Sequence, residues 1–200
     1  MMEIESAPLK NPGPWRAETA KEGYSGTSYY VSRDHRNVTD INSIDESTSL
    51  AYRVLITQPG NYRLGIRNYY EHQNMGEDND HWTRLDDRPW IKTWSHRFHD
   101  QDGDYTWTWE TGHDTGGDTL LFPVFENVAD GEHTVYIAVR SANWCIDRLY
   151  LVKVDYDRAR YYENPPESYG DYHLFDAKTI HRLDYPLSLT TNKTIRKDDD

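Results

Sequence analysis

The chain has 200 residues, a formal net charge of −12 at pH 7 and an aromatic-rich composition with 16 Tyr and 7 Trp. Its length suffices for one domain plus a tail, and such a chain buries roughly 70% of the surface that its unfolded form exposes. The acidic balance argues against nucleic-acid binding, because contact with a polyphosphate depends on lysines and arginines that displace counterions. No apolar run reaches the roughly 18 residues of a membrane-spanning helix, so no membrane association is predicted.

The lone cysteine and the N-terminal segment each argue against further structural features. Cys145 has no second cysteine to pair with, which excludes an internal disulfide and a cysteine-based zinc site, and predicts a small core residue. The segment Met1-Met2-Glu3-Ile4-Glu5 lacks the basic region and the apolar stretch of a signal peptide, so none is expected in this chain.

Taken in chain order, the first elements read as strands. Glu3-Ile4-Glu5 predicts a strand with two carboxylates on one face, because strand side chains repeat every second residue. Residues 28–33 predict the next strand. Apolar alternation over 50–56, a turn at Gln58-Pro59-Gly60-Asn61 and renewed alternation over 62–66 predict a β-hairpin.

The later strand-like runs are each bounded by Gly, Asp, Asn or Pro clusters, and they cover residues 81–86, 105–110, 119–125, 132–140 and 145–153. No helix is predicted before residue 155. About 8–10 short antiparallel strands without intervening helices predict an all-β fold, a sandwich or a barrel. Long polar loops separate the strands over residues 35–47, 72–80, 93–104 and 111–118.

The domain boundary is predicted at the end of the last strand. Residues 1–154 are expected to form the β-domain, and residues 155–200 a tail or linker that packs on it or leads to another domain. Within the last strand, Asp147 stands among hydrophobic neighbours. A buried ionised carboxylate needs compensation, so Asp147 is expected to meet an arginine or a metal ion.

The order of these features resembles carbohydrate-binding modules of families 6 and 35, over residues 3–153. The residues that carry the resemblance are Glu3-Ile4-Glu5, Gln58-Pro59-Gly60-Asn61-Tyr62-Arg63-Leu64, Trp107-Thr108-Trp109, Gly131-Glu132-His133 and Ile146-Asp147. The resemblance implies a jelly-roll β-sandwich of the galactose-binding-like type, without catalytic activity. It also implies that the module is secreted and targets a companion glycoside hydrolase or polysaccharide lyase to a polysaccharide or oligosaccharide.

The resemblance further implies a structural calcium ion near the two termini, with Glu3, Glu5 and Asp147 as ligands. Calcium takes six to eight oxygen ligands, which carboxylates and loop carbonyls supply without any helix. The alternative is that Glu3 and Glu5 form a solvated strand face while Asp147 pairs with Arg140 or Arg148.

Two aromatic residues carry the sugar site that the resemblance implies, Tyr30 after the second strand and Trp107 in a late strand. Their flat faces would stack on the C–H groups of a pyranose ring. The alternative is a core position, because Trp107 shares a face with Tyr105 and Trp109, and such a stripe more often packs inside a protein.

Two nearby segments complete the predicted sugar site. Cys145 stands where many family 6 modules have a sugar-contacting asparagine, so Asn143 and Trp144 in the preceding turn are the nearest substitutes. The segment that ends at Trp94 is longer than a minimal module needs, and Trp94 is predicted to rebuild or cover the site.

Two other functional classes stay open at this point. The same sandwich would serve as a structural or interaction domain of a larger carbohydrate-active enzyme, with its aromatic residues buried in that contact. An enzyme would instead use two carboxyl groups of the acidic segment that contains Glu77, Asp78 and Asp80, facing a scissile glycosidic bond.

Overall fold

The computed structural model describes residues 2–33, 38–71, 78–95, 106–109, 111–114 and 122–154, together with the backbone of residues 181–183. The strands are β1 (Met2–Glu3), β2 (Trp15–Glu18), β3 (Tyr29–Ser32), β4 (Leu50–Ile56), β5 (Gly60–Tyr69), β6 (Asp80–Leu85), β7 (Ile91–Trp94), β8 (Gly112–His113), β9 (Val124–Val128), β10 (Gly131–Val139), β11 (Cys145–Val154) and β12 (His181–Leu183). Three short 3₁₀ helices span Ile4–Ser6, Ile41–Ser43 and Glu46–Thr48.

The described strands form two six-stranded sheets. Sheet A has the order β2-β3-β11-β5-β9, and β1 also pairs with β11. Sheet B has the order β12-β4-β10-β6-β7-β8. The pairs are antiparallel, apart from the parallel pair of β12 with β4. The predicted all-β class is confirmed, and no helix of the described residues is long and apolar enough to cross a membrane.

One hydrophobic core lies between the two sheets. Alternate residues of β4, such as Leu50 and Val54, point to the same core as Ile66 of β5 and Leu149 of β11. Burial of these side chains between the two sheets holds the sheets face to face. Each Å² of apolar surface removed from water stabilises the fold by about 25 cal/mol. The β-sandwich is therefore confirmed.

The predicted hairpin of β4 and β5 is wrong. The two strands follow each other in sequence, but β4 pairs with β10 and β12 in sheet B, whereas β5 pairs with β11 and β9 in sheet A. The turn between them carries the chain from one sheet to the other, and the Tyr62 hydroxyl donates to the Gln58 carbonyl across it, at 2.7 Å. Alternation alone does not separate these cases, because each strand turns one apolar face to the core in both arrangements.

The N-terminal strand is shorter than predicted. Strand β1 ends at Glu3, and Ile4–Ser6 form a 3₁₀ helix, so Glu3 and Glu5 do not share a strand face. The buried Ile4 lies beneath β4, whose Tyr52 hydroxyl donates to the Ile4 carbonyl at 2.9 Å. The positions of Glu3 and Glu5 are therefore set by this 3₁₀ helix, which is anchored in the core through Ile4, and not by the alternation of a strand.

Other boundaries also differ from the prediction. The strand predicted over 105–110 contributes, among its described residues, only an isolated bridge of Thr108 to Asn68. The sequence predicts no strand at β2, β7, β8 or β12, and it assigns part of β7 and all of β8 to the polar loops over 93–104 and 111–118. Of the predicted tail, residues 155–180 and 184–200 lie outside the described residues, while the backbone of β12 continues sheet B beside β4.

Candidate functional site

The five residues predicted to contact sugar do not converge. Trp94 pairs with Asp80 across β7 and β6, and their neighbours Thr93 and His81 also pair with each other. His81 lies opposite Val139, which belongs to the core. Because side chains alternate along a strand, Trp94 faces away from the core on the outer side of sheet B. Trp107, by contrast, packs on sheet A.

Tyr30 and Trp144 lie inside the sandwich, contrary to the sequence prediction. The Tyr30 side chain is 4% exposed, and its hydroxyl donates to the Ala7 carbonyl at 2.8 Å. Trp144 is 0% exposed, packs edge-on against Trp15 and donates from Nε1 to the Ser95 hydroxyl at 3.0 Å. Neither ring has a face open to a ligand, so both are core residues in this fold.

Four aromatic side chains gather on the outer side of sheet A, and we call them the aromatic patch: Tyr24, Tyr29, Tyr69 and Trp107. The ring centroids of neighbouring members lie 5.4–5.6 Å apart, in edge-on or tilted arrangements that aromatic pairs favour. Tyr29 is buried, while the other three are partly exposed. The patch therefore combines a packed base with ring surface that reaches solvent.

The floor of the patch is formed by Val31 and Cys145, which pair across β3 and β11. Cys145 is 1% exposed, as the sequence predicted for a core residue. Burial raises the pKa of its thiol to about 12. The thiol is therefore protonated at neutral pH and fills space beneath the rings rather than acting as a nucleophile.

One side of the patch is lined by Lys21 and Glu71. The Lys21 ammonium lies 4.3 Å from the centroid of the Tyr69 ring and 3.2 Å from a Glu71 carboxylate oxygen. The Tyr69 hydroxyl also donates to Glu71. Hydrogen bonds from Tyr69 and Lys21, and the charge of Lys21, lower the pKa of Glu71, against the opposite effect of burial.

The other side of the patch is a chain of polar side chains that includes the predicted Asn143. Glu18 accepts from Arg33 at 2.5 Å and from the Tyr29 hydroxyl at 3.4 Å, which joins the chain to the patch. Arg33 also donates to the Asn143 amide oxygen at 2.9 Å. The Asn143 amide nitrogen in turn donates to Asp78 at 3.1 Å. Trp107 and Asn143 are thus the two predicted sugar-contacting residues that the structure places around one surface.

Asp147 meets an arginine, as the sequence predicted, but the partner is Arg67 rather than Arg140 or Arg148. Asp147 is 0% exposed and sits where the pairing of β11 with β5 shifts register. The Ser25 backbone amide also donates to it, at 2.9 Å. Burial raises the pKa of Asp147, and the contacts from Ser25 and Arg67 act in the opposite direction.

The three predicted calcium ligands lie around one loop, and we call Glu3, Glu5 and Asp147 the acidic cluster. The Ser25 hydroxyl lies 2.7 Å from a Glu3 oxygen and 3.2 Å from an Asp147 oxygen, so two carboxylates share its single proton. Glu3 also pairs with Arg148, at 2.9 Å. One Glu5 oxygen accepts from the Thr27 amide at 2.6 Å. The other Glu5 oxygen is buried and has no hydrogen-bond partner.

The donor set of the acidic cluster suits calcium in kind, since it consists of hard carboxylate and hydroxyl oxygens, and one of them is buried and unsatisfied. Two of its carboxylates are already neutralised by arginines. Within the described residues, no three His, Cys, Asp or Glu side chains are gathered around a common point.

Two carboxylates considered for glycosidic cleavage, Asp78 and Asp80, accept hydrogen bonds from neighbouring side chains. Glu77 lies outside the described residues, and Asp78 accepts from Asn143. Asp80 is 5% exposed, pairs with Arg140 and accepts from the Ser141 hydroxyl. A carboxylate held by such partners is poorly suited to act as an acid or base.

No protein-family profile matches the chain, and no curated protein matches it either. Among solved structures, it is similar to a native family 35 carbohydrate-binding module from Clostridium thermocellum, with 16% identity and a TM-score of 0.45 over 76% of this chain and 96% of that chain. It is also similar to a GH26-CBM35 β-(1,4)-mannanase of Podospora anserina, with 18% identity and a TM-score of 0.43 over 82% of this chain.

A third similar structure is a cycloisomaltooligosaccharide glucanotransferase of Paenibacillus sp. in complex with cycloisomaltoheptaose, with 17% identity and a TM-score of 0.46 over 75% of this chain. The chain spans only 18% of that glucanotransferase and 28% of the mannanase. By themselves these likenesses assign neither a family nor a ligand.

Proposed function

We propose that this protein is a non-catalytic carbohydrate-binding module whose aromatic patch stacks on the pyranose rings of a polysaccharide or oligosaccharide. The observation that carries the proposal is the partly exposed ring surface of Tyr24, Tyr69 and Trp107, flanked on two sides by polar side chains. Ring faces bury the C–H groups of a sugar, while neighbouring amides and carboxylates orient its hydroxyls. Glu71 and Glu18 accept hydrogen bonds from patch hydroxyls, and Arg33 joins Asn143 to Glu18.

The order of sequence features supports the same proposal, because it resembles family 6 and family 35 modules. Such a module acts by holding its polysaccharide near a tethered glycoside hydrolase or polysaccharide lyase, where weak affinity suffices because the effective concentration is high. A secreted setting follows from this role. The proposal therefore includes a companion catalytic domain and excludes bond cleavage by this domain.

A structural calcium ion at the acidic cluster is part of the proposal. The residues that would hold it are Glu3, Glu5 and Asp147, with the Ser25 hydroxyl beside them. The support is the buried Glu5 oxygen without a partner and the sharing of one Ser25 proton by two carboxylates. When bound, the ion would supply positive charge to carboxylates of the N-terminal segment and of β11.

Affinity gels that contain single plant or algal polysaccharides test the sugar-binding proposal. We expect slower migration of the wild-type protein in at least one gel without release of sugar products, and loss of that retardation in Trp107→Ala and Tyr69→Ala. The matched control is Trp90→Ala, which removes a partly exposed tryptophan from the outer side of sheet B, where its ring covers Arg84 at 4.5 Å.

Retardation of the wild type and of Trp90→Ala, but not of the patch variants, is the expected result. Equal retardation of all variants would show that the aromatic patch is not the site. Absence of retardation in every gel would favour a structural or interaction domain, and release of sugar products would favour an enzyme.

A further inference from the structure

A loop segment lies between the acidic cluster and the aromatic patch, and we call residues 22–27 the strap. Three hydrogen bonds attach its second half to the acidic cluster: Ser25 N to Asp147 at 2.9 Å, Ser25 Oγ to Glu3 at 2.7 Å and Thr27 N to Glu5 at 2.6 Å. Each of the three carboxylates thus holds a different point of the strap. A charge-assisted hydrogen bond is stronger than a neutral one, so this half of the strap is firmly fixed.

The first half of the strap contacts the Trp107 side chain. The Trp107 indole nitrogen donates to the Glu22 carbonyl at 2.9 Å. Gly23 adopts φ +84°, and a Cβ at this position would lie 3.3 Å from Trp107 Cδ1. A side chain would both strain this backbone and press on the ring, so the close approach requires glycine.

Arg67 contacts the acidic cluster, the first half of the strap and Trp107. Its guanidinium pairs with the buried Asp147, donates to the Gly23 carbonyl at 2.9 Å and lies 5.5 Å from the centroid of the Trp107 ring. A planar guanidinium reaches several acceptors at once in a fixed geometry, whereas a lysine ammonium offers one compact charge. The contacts of Arg67 therefore depend on its shape as well as on its charge.

We propose that Arg67 is a positioning residue which, together with the strap, sets the orientation of Trp107 from the acidic cluster. The effect of Arg67 on sugar affinity rests on the function proposed above, whereas its effect on Trp107 does not. Asp147 fixes Arg67, Arg67 fixes the Gly23 carbonyl, and the adjoining Glu22 carbonyl fixes the Trp107 indole. Loss of the guanidinium would leave Trp107 in the patch without a fixed orientation.

Arg67→Lys tests this proposal, because it keeps a positive charge beside Asp147 and removes the planar guanidinium group. The matched control is Arg84→Lys on sheet B, since Arg84 also pairs with a carboxylate, Glu46, and lies 4.5 Å from the Trp90 ring. Both variants and the wild type are labelled with 5-fluorotryptophan and compared by ¹⁹F NMR in one calcium-containing buffer. The Trp107 resonance is assigned from its absence in Trp107→Phe.

We expect Arg67→Lys to shift or broaden the Trp107 resonance and to leave that of Trp144, which is buried in the core between the sheets, in place. Arg84→Lys should leave both unchanged. In the gel that retards the wild type, Arg67→Lys should lose as much retardation as Trp107→Ala, while Arg84→Lys should retain it. An unchanged Trp107 resonance in Arg67→Lys would overturn the proposal, whether or not any polysaccharide binds.

A second variant covers the case in which Arg67→Lys does not fold. Gly23→Ala leaves Arg67 and Asp147 intact and changes only the strap beneath the indole. It should move the Trp107 resonance and weaken retardation while thermal unfolding stays cooperative. If Gly23→Ala folds and the Trp107 resonance does not move, the strap does not position the ring.

Discussion

Trp107 and Trp144 were both predicted to contact sugar, but their surroundings differ. Trp144 is 0% exposed, and the imidazole of His81 stacks on its ring with 3.7 Å between centroids. Trp107 is partly exposed and rests on the tyrosines of the aromatic patch. The two rings should therefore contribute to different properties, one to stability and the other to binding.

Alanine substitution separates these two roles. Trp144→Ala should lower the free energy of unfolding by about 3–5 kcal/mol, because it removes a fully buried ring and leaves a cavity. Trp107→Ala should cost only about 1–2 kcal/mol, because part of its ring is already in water. Urea denaturation followed by circular dichroism measures both values. An equal cost for the two variants would contradict their placement.

His81 should make the protein sensitive to acid. It is buried beside Trp144, and neither ring nitrogen has a hydrogen-bond partner. Burial lowers its pKa well below the ordinary value of 6.5. As the pH falls below 6.5, the unfolded chain therefore takes up a proton that the folded protein does not, and the free energy of unfolding decreases.

His81→Phe removes this titration and keeps an aromatic ring of similar size. Below pH 6.5 the wild type should lose up to about 1.4 kcal/mol per pH unit more than the variant. Urea denaturation at several pH values between about 4 and 7 gives the two slopes. Identical slopes would show that His81 is protonated in the folded state or does not control acid stability.

At the scale of elements, the sequence predicts three of the four longest strands closely, whereas β5 spans Gly60–Tyr69 and extends beyond the predicted 62–66 at both ends. Strand β4 has its predicted bounds, and β10 and β11 differ from theirs by about one residue. Each of these strands is a long run rich in apolar residues that is bounded by turn-forming or polar residues. Strands β7 and β8 were missed, since they have only 4 and 2 residues and owe their extended shape to pairing with a neighbour. Sheet membership was also beyond the local pattern, as the β4–β5 connection shows.

In the candidate site, too, local sequence patterns predict some features, whereas others depend on contacts between distant parts of the chain. The need of Asp147 for a cation followed from its apolar neighbours, but nothing local identified Arg67, which lies 80 positions away in the sequence. Arg67 and Tyr69 alternate on β5 with the core residue Ile66 and the buried Asn68, and so face outward. Both lie beyond the predicted strand over 62–66, so the alternation locates the patch only when the strand is continued to Tyr69.

Close packing between β5 and β11 gives a test of sheet A. A Cβ on Gly65 would overlap the Tyr150 ring and lie 2.5 Å from its hydroxyl oxygen. Gly65→Ala should therefore destabilise the protein by about 1–3 kcal/mol, as expected for overpacking. The double variant with Tyr150→Val should lose less than the sum of the two single changes, because the clash is absent there. Additive losses in urea denaturation would contradict this contact.

For the whole molecule, the described residues of the core shared by the two sheets lie between Met2 and Leu151. A chain of residues 1–154 should therefore fold by itself, with the near-ultraviolet circular dichroism of its packed aromatic side chains preserved and with cooperative thermal unfolding. Of the described backbone beyond residue 154, this truncation removes the short parallel pair of β12 with β4. A non-cooperative transition would show that residues 155–200 are required by the fold.

Calcium should act on the stability of the entire sandwich, because the acidic cluster joins the N-terminal segment to β11 and to the strap. An ion that binds only the folded protein raises its melting temperature, so EDTA should lower that temperature by several degrees, and excess calcium should restore it. Magnesium should restore it less well, because it demands stricter octahedral geometry. Glu5→Gln, which removes the charge beside the unsatisfied oxygen, should melt near the EDTA-treated wild type and respond less to EDTA. If EDTA leaves the melting temperature unchanged and mass spectrometry under native conditions detects no bound ion, then Arg67 and Arg148 alone balance the charge of the acidic cluster.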